Sequence, residues 1–322
     1  MKEQSRKIII RVFLVILSVA LIVFALSYVS FVHEMDRAKA RITASELYRT
    51  PDGEIEYTVQ GDGTPVLILH GAGGGFDFGI WSGRVFFKDN PKIISVSRFG
   101  YLRSPVPENA SIRKQAALYH DLLVHLNITK VVVVGTSAGG PSAIRFANDY
   151  PENCSGLILI SAVSRAEPPG SDEPVHIRVI HQIQQSDYGY WLFTRAGQST
   201  ILDLMGIPKE VFAQFTPEQQ QLAQEMLDVM HPMTPRYRGT INDAEMLSRE
   251  EIPSGNITCP VLIMHARDDA LVNYTHALNA YEKVPHARLV LFDTGGHAML
   301  SQIGPVRENV TQFLDTTRQG QR

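Results

Sequence analysis

The ten residues Val131 to Gly140, VVVVGTSAGG, constrain this chain more than any other stretch. Four valines in a row show no alternation, so the run reads as a strand buried on both faces, as in a parallel sheet. Gly135-Thr136-Ser137-Ala138-Gly139 then fits G-x-S-x-G. In that pattern a serine sits on a strained strand-to-helix turn and lifts its hydroxyl above the sheet edge. A helix must follow at once, and Pro141 to Asn148 reads as one, with its proline near the start where no N–H is missed. By itself the pattern also fits a Gly-Ser turn after any buried strand, so the rest of the chain has to decide.

The rest repeats the rhythm. Strands are predicted at Ile55 to Gln60, Pro65 to Leu69, Lys92 to Val96, Gly156 to Ile160, Val261 to Met264 and Arg288 to Phe292. Helical spacing appears over Ile112 to Leu126 and Val306 to Thr317. Strands alternating with helices imply βαβ units and a mostly parallel sheet with helices on both faces. Residues 164–253 break the rhythm: no buried strand is predicted there, and the stretch reads as several helices. An insertion that long between two core strands is expected to be a lid. The core is then 51–163 with 254–322. The lid's Tyr188, Tyr190, Trp191, Phe193, Met205 and Phe212 suit an acyl chain or a ring. Packing of the lid on the body accounts for most of them equally well.

The amino terminus follows other rules. Val12 to Val32 holds 21 residues without a charge, about the ~20 needed to cross hydrocarbon. Lys2, Arg6, Lys7 and Arg11 precede it, which keeps residues 1–11 cytoplasmic and exports the body. A cleaved leader is the alternative, since Ala25-Leu26-Ser27 is a passable cleavage site. The apolar run continues past that site, which favours an uncleaved anchor over 12–32. Residues 33–50 read as a polar, helix-capable connector, so a chain starting near Ala44 should be soluble and active. Asn-x-Ser/Thr occurs at Asn109, Asn127, Asn153, Asn256, Asn273 and Asn309. Glycosylation fits export, and turn chemistry is the competing explanation. The net charge of −3, with 44% apolar and 20% charged residues, is an ordinary globular balance. Lys and Arg form no stripe, so nothing points to nucleic acid.

A serine hydroxyl is a weak nucleophile until a base takes its proton and a third group orients that base. Two loops downstream offer those groups at the carboxyl ends of strands, where open α/β sheets build their sites. His265-Ala266-Arg267-Asp268-Asp269 follows one strand, and Thr294-Gly295-Gly296-His297 follows the next. A helix cap for either aspartate and a surface loop for His297 are the plain alternatives for each alone. His70 to Gly75 (HGAGGG) offers unencumbered backbone N–H groups after an early strand. No G-K-[ST] follows, so phosphate binding is disfavoured.

HGAGGG, SRFGYLRSP, VVVVGTSAGGPSA, HARDDALV and TGGH together resemble the α/β-hydrolase superfamily, over about residues 54–317. The resemblance implies an α/β-hydrolase fold with Ser137 as nucleophile, Asp269 as acid and His297 as base. It also implies an oxyanion hole from the N–H groups of Ala72 and Ala138. The family's D-x-x-V-P pattern selects Asp269 over Asp268, although Asn273 stands where that pattern has proline. No metal or cofactor is implied, and the partner is a small acyl substrate. A serine at the elbow disfavours dehalogenase and epoxide hydrolase chemistry. An ester hydrolase is the leading expectation. The alternatives are cleavage of a C–C bond beside a carbonyl, which HGAGGG also resembles, and a hydrolase fold used as sensor or scaffold. In this arrangement the strands beside Cys154 and Cys259 are parallel neighbours, so a disulfide between them is expected at the edge opposite the site. Oligomeric state is not legible.

Overall fold

The computed structural model describes residues 2–51, 53–166, 175–284 and 286–319. Eight strands form one sheet in the order β1-β2-β4-β3-β5-β6-β7-β8. They are β1 (Glu46–Thr50), β2 (Gly53–Gln60), β3 (Pro65–Leu69), β4 (Lys92–Ser97), β5 (Val131–Thr136), β6 (Cys154–Ile160), β7 (Val261–Ala266) and β8 (Arg288–Phe292). β1 pairs antiparallel with β2, and β2 with β4; every other pairing is parallel. The helices are α1 (Lys2–Ile42), α2 (Phe76–Phe86), α3 (Ile112–His125), α4 (Gly140–Asp149), α5 (Val175–Gln184), α6 (Asp187–Ala196), α7 (Gln198–Leu204), α8 (Lys209–Phe212), α9 (Pro217–Val229), α10 (Thr234–Leu247), α11 (Thr275–Lys283) and α12 (Ile303–Gln319).

Both faces of the sheet are buried, and the valine run shows how. Val131 and Val133 enter the core beneath α3, α4 and α11, with Leu67, Leu157 and Ile263. Val132 and Val134 enter the core beneath α2 and α12, with Ile68, Ile158 and Leu262. All four are at most 1% exposed, and each such burial stabilises by about 1.5–3 kcal/mol. The described residues of 164–253 form helices α5 to α10, as the missing strand pattern led one to expect. Helix α10 is tied to the body by two buried, bidentate ion pairs. Arg236 binds Asp77 of α2 at 2.9 and 2.8 Å, and Arg98 binds Asp243 at 2.5 and 2.6 Å. Such forks are strong and directional, and they fix where the insertion sits over the sheet edge.

Of the helix-capable connector expected over 33–50, the first part is helix and the last part is a strand of the sheet. The helix runs on through Ile42, and Glu46–Thr50 is the edge strand β1. The helix's polar end is packed. Met35 and Ala38 are buried. Arg41 donates to Asp77 at 3.4 Å and to the carbonyls of Asp228, Val229 and His231 at 3.1, 3.2 and 2.7 Å. Cutting at Ala44 removes all of this, so the earlier expectation for that boundary changes. A chain beginning at Ala44 should be less stable than one beginning at Ser30 by about 3–5 kcal/mol, from one buried Met and several charge-assisted bonds. Differential scanning fluorimetry of the two chains checks this, and equal melting temperatures would contradict it.

The disulfide expectation is also corrected. Cys154 and Cys259 lie at the edge opposite the site with sulfurs 3.4 Å apart, but both are free thiols. Pairing of β6 with β7 brings the two side chains together, and no bond joins them. The sequons show turn roles in places: Asn127 adopts φ 54, and Asn273 Oδ1 accepts the Thr275 N–H at 3.0 Å.

Candidate active site

The carboxyl ends of β3, β5, β7 and β8 carry the predicted site residues to one edge. Ser137 follows β5 directly, at φ 50, a left-handed conformation that costs a non-glycine residue about 1–3 kcal/mol. The flanking glycines are demanded by contact. A Cβ on Gly139 would lie 2.2 Å from the Leu69 carbonyl oxygen, and one on Gly135 would lie 2.6 Å from Ala143 Cβ. α4 and β3 can close on the turn only if both side chains are absent. Gly139→Ala should therefore destabilise the fold by about 1–3 kcal/mol and lower the melting temperature by roughly 3–10 °C. An unchanged melting temperature would refute the packing argument.

The loop after β3 lies beside the serine: a Cβ on Gly71 would lie 3.0 Å from Ser137 Cβ. His70, fully buried, shapes this loop. Its Nε2 accepts the Arg98 N–H at 3.1 Å, so its proton sits on Nδ1 and is donated to the Gly71 carbonyl at 2.7 Å. Burial, aided by the Arg98 charge, holds its pKa well below the ordinary histidine value, in keeping with a neutral ring. Ala72 and Ala138 flank Ser137 along the same cavity wall.

His297 and Asp269 meet. Nδ1 of His297 lies 2.8 Å from Asp269 Oδ2. Oδ1 of Asp269 accepts the N–H groups of Leu271 and Val272, each at 2.9 Å, and His265 Nε2 lies 3.1 Å from Oδ2. Burial alone would push this carboxyl up. The His297 charge and the hydrogen bonds from His265, His297 and Val272 outweigh it and hold Asp269 well below the usual carboxylate range. An ionised Asp269 draws the imidazole proton to Nδ1, leaving the Nε2 lone pair of His297 unprotonated. Asp268 turns the other way. It accepts the N–H groups of Gly295 and Gly296 at 3.2 and 2.8 Å and so pins the loop that carries His297. From the insertion, the Gly206 carbonyl accepts the His297 N–H at 2.7 Å.

Ser137 and His297 line one cavity of about 130 Å³ with Phe78, Trp81, Phe86 and Met226. A second, of about 300 Å³, extends from Ser137 past Ile180, Ile183, Tyr190 and Leu247. Ala72, Ser137, Met205, Met230 and Leu271 line both. Among the described residues lining them there is no Lys or Arg. Ser137, Asp269, His297, Ala72 and Ala138 are thus gathered at one edge. The sequence reading quoted His70 and His265 only within their motifs, and it missed their roles, Gly206 and the holding role of Asp268. Gly206 meets His297 from 91 positions away, and Asp268 and His70 meet Gly295, Gly296 and Arg98 from 27 or 28; His265 lies only four residues before Asp269, but spacing alone does not say that its ring faces that carboxylate.

A doubly covered, mostly parallel sheet with a strained serine turn and a His–Asp pair on its carboxyl edge defines the class of hydrolase-fold enzymes. The chain belongs to the family described as alpha/beta hydrolase fold, whose model matches residues 64–302. It is 29% identical over 262 residues to the uncharacterized hydrolase YcgS of Bacillus subtilis (strain 168), covering 76% of this chain and 88% of that one. It is 26% identical over 281 residues to the 2-hydroxy-6-oxo-6-phenylhexa-2,4-dienoate hydrolase of Comamonas testosteroni, covering 80% and 88%. An alpha/beta hydrolase fold protein from Nakamurella multipartita superposes with a TM-score of 0.74 at 25% identity, covering 84% of this chain and 99% of that chain.

Proposed function

We propose that this chain is a membrane-anchored serine hydrolase of neutral acyl esters. The observation that carries the reading is Ser137 at φ 50 on the rim of a cavity shared with His297, whose Nδ1 is bound to Asp269 at 2.8 Å. His297 Nε2 takes the Ser137 Oγ proton as Oγ attacks the carbonyl carbon. The oxyanion rests on the N–H groups of Ala72 and Ala138. His297 then protonates the departing alcohol, and a water activated the same way releases the acid from the acyl-enzyme. Helices α5 to α10 serve as the lid, and the described lining of both cavities is mostly apolar.

The second reading, C–C bond cleavage, draws on the dienoate hydrolase of Comamonas testosteroni. A dienoate carries a carboxylate, and the absence of Lys or Arg among the described lining residues favours an uncharged substrate instead. A sensor or scaffold would have no use for a strained serine facing a prepared base. Fluorophosphonate labelling, followed by turnover of p-nitrophenyl butyrate against a carboxylate-bearing dienone, tests all three. Faster turnover of the dienone would replace the ester reading, and absence of both turnover and labelling would leave the scaffold.

Helix α1 is long and apolar enough to cross a bilayer, and its uncharged run is exposed. The full chain should therefore pellet with membranes and resist carbonate extraction. A soluble protein beginning near Tyr28 would point to a cleaved leader.

A further inference from the structure

Helix α6 touches the uncharged part of α1 as well as its polar end. Tyr188 packs on Phe24, Tyr28 and Phe31 with ring centroids 6.0, 5.9 and 5.2 Å apart, and its hydroxyl lies 2.9 Å from Ser27 Oγ. Trp191 meets Phe31 at 5.9 Å, and one turn later Arg195 pairs with Glu34. The two helices thus run side by side, with Tyr188 at the apolar end and Arg195 at the polar end. Phe24 precedes Val32 by eight residues, about 12 Å along the axis, so Tyr188 lies at the depth of the uncharged run. One turn after Tyr188 on the same face, Leu192 is 42% exposed, and Phe193 beside it is 39% exposed. On the other side of α6, Tyr190 is buried and lines the larger cavity at Ser137.

We propose that α6 is seated in the interfacial layer of the bilayer and that the substrate is an acyl ester dissolved in that bilayer, admitted past α6. The occupant is lipid because the exposed Leu192 and Phe193 lie on α6 next to Tyr188, whose partners on α1, Phe24 and Tyr28, are themselves 56% and 48% exposed within the uncharged run. The tyrosines and tryptophan gathered where the uncharged run ends are the side chains that favour this layer. One helix then presents lipid with one face and walls the catalytic cavity with the other. The inference rests on the anchor and ester readings above.

The full chain is reconstituted in vesicles of phosphatidylcholine and phosphatidylglycerol, with Leu192→Cys carrying a nitrobenzoxadiazole label. Lipid bearing a nitroxide near the top of its acyl chain should quench this label. It should not quench the same label at Val124→Cys, an exposed site on α3. The variant Leu192→Glu should lose about tenfold in turnover of a long-chain ester held in the vesicles. Its turnover of soluble p-nitrophenyl butyrate should stay within about twofold. A chain that does not sediment with vesicles removes the anchor reading and this inference with it. A sedimenting chain with an unquenched label, or an equal loss on both esters, overturns this inference alone. If no ester is turned over, the ester reading fails, the substrate claim falls with it, and quenching still decides the seat of α6.

Discussion

Ser137→Ala should lose ester turnover by a factor on the order of 10⁶, the size seen when a triad serine is removed elsewhere, and should take no fluorophosphonate label. The change deletes one oxygen and keeps the Cβ, so the backbone at φ 50 and the packing of Gly71 against it are unaltered. The melting temperature should therefore hold within about 2 °C, because the backbone strain is the same for both residues. That separates loss of the nucleophile from loss of the fold. Equal labelling of both proteins would show that another residue reacts and would end the assignment of Ser137.

Asp269→Asn should lower kcat by about 10⁴, as the same change does in a related triad, and Asp268→Asn by roughly tenfold. The contrast comes from what each carboxylate holds. Asp269 Oδ2 faces His297 Nδ1 at 2.8 Å and His265 Nε2 at 3.1 Å. An amide that keeps its oxygen toward the Leu271 and Val272 N–H groups turns its NH₂ toward His297. The ring proton then moves to Nε2, and no lone pair remains for the serine. Asp268 accepts the N–H groups of Gly295 and Gly296, and an amide oxygen still accepts one of them. Steady-state kinetics on one soluble ester checks both variants. A larger loss from the Asp268 change would mean that the register taken from D-x-x-V is wrong.

What could be read from the chain was what short segments encode. Four unbroken valines need two covered faces wherever they sit, and the glycines of GTSAGG mark a turn where backbone and neighbouring side chains close in. The sequence order of Ser137, Asp269 and His297 at strand ends needed only the strands themselves to be recognised. Helix α2 was not legible, because Gly79 and Gly83 weaken its local signal. In the fold those same glycines let the helix approach the sheet: a Cβ would lie 2.0 Å from Ser95 Oγ at Gly79 and 2.4 Å from Ile93 Cδ1 at Gly83. The edge strand β1 was hidden in a polar stretch, because it is paired on one side only and mostly half-exposed.

The rest was decided by contacts that sequence spacing does not carry. The chain itself determined that a serine would be raised at the edge of a parallel sheet, with an acid and a histidine on later loops. Only the tertiary structure decided that Asp269 would face His297 while Asp268 holds the histidine loop, since adjacent residues point to different partners. Only it decided that Arg41, at the end of an apolar helix, would be spent on Asp77 and the carbonyls near His231. A local pattern reports which face of a segment must be covered. What covers it depends on where the sheet brings residues that are 36 to 190 positions away, as Arg41 is from Asp77 and His231.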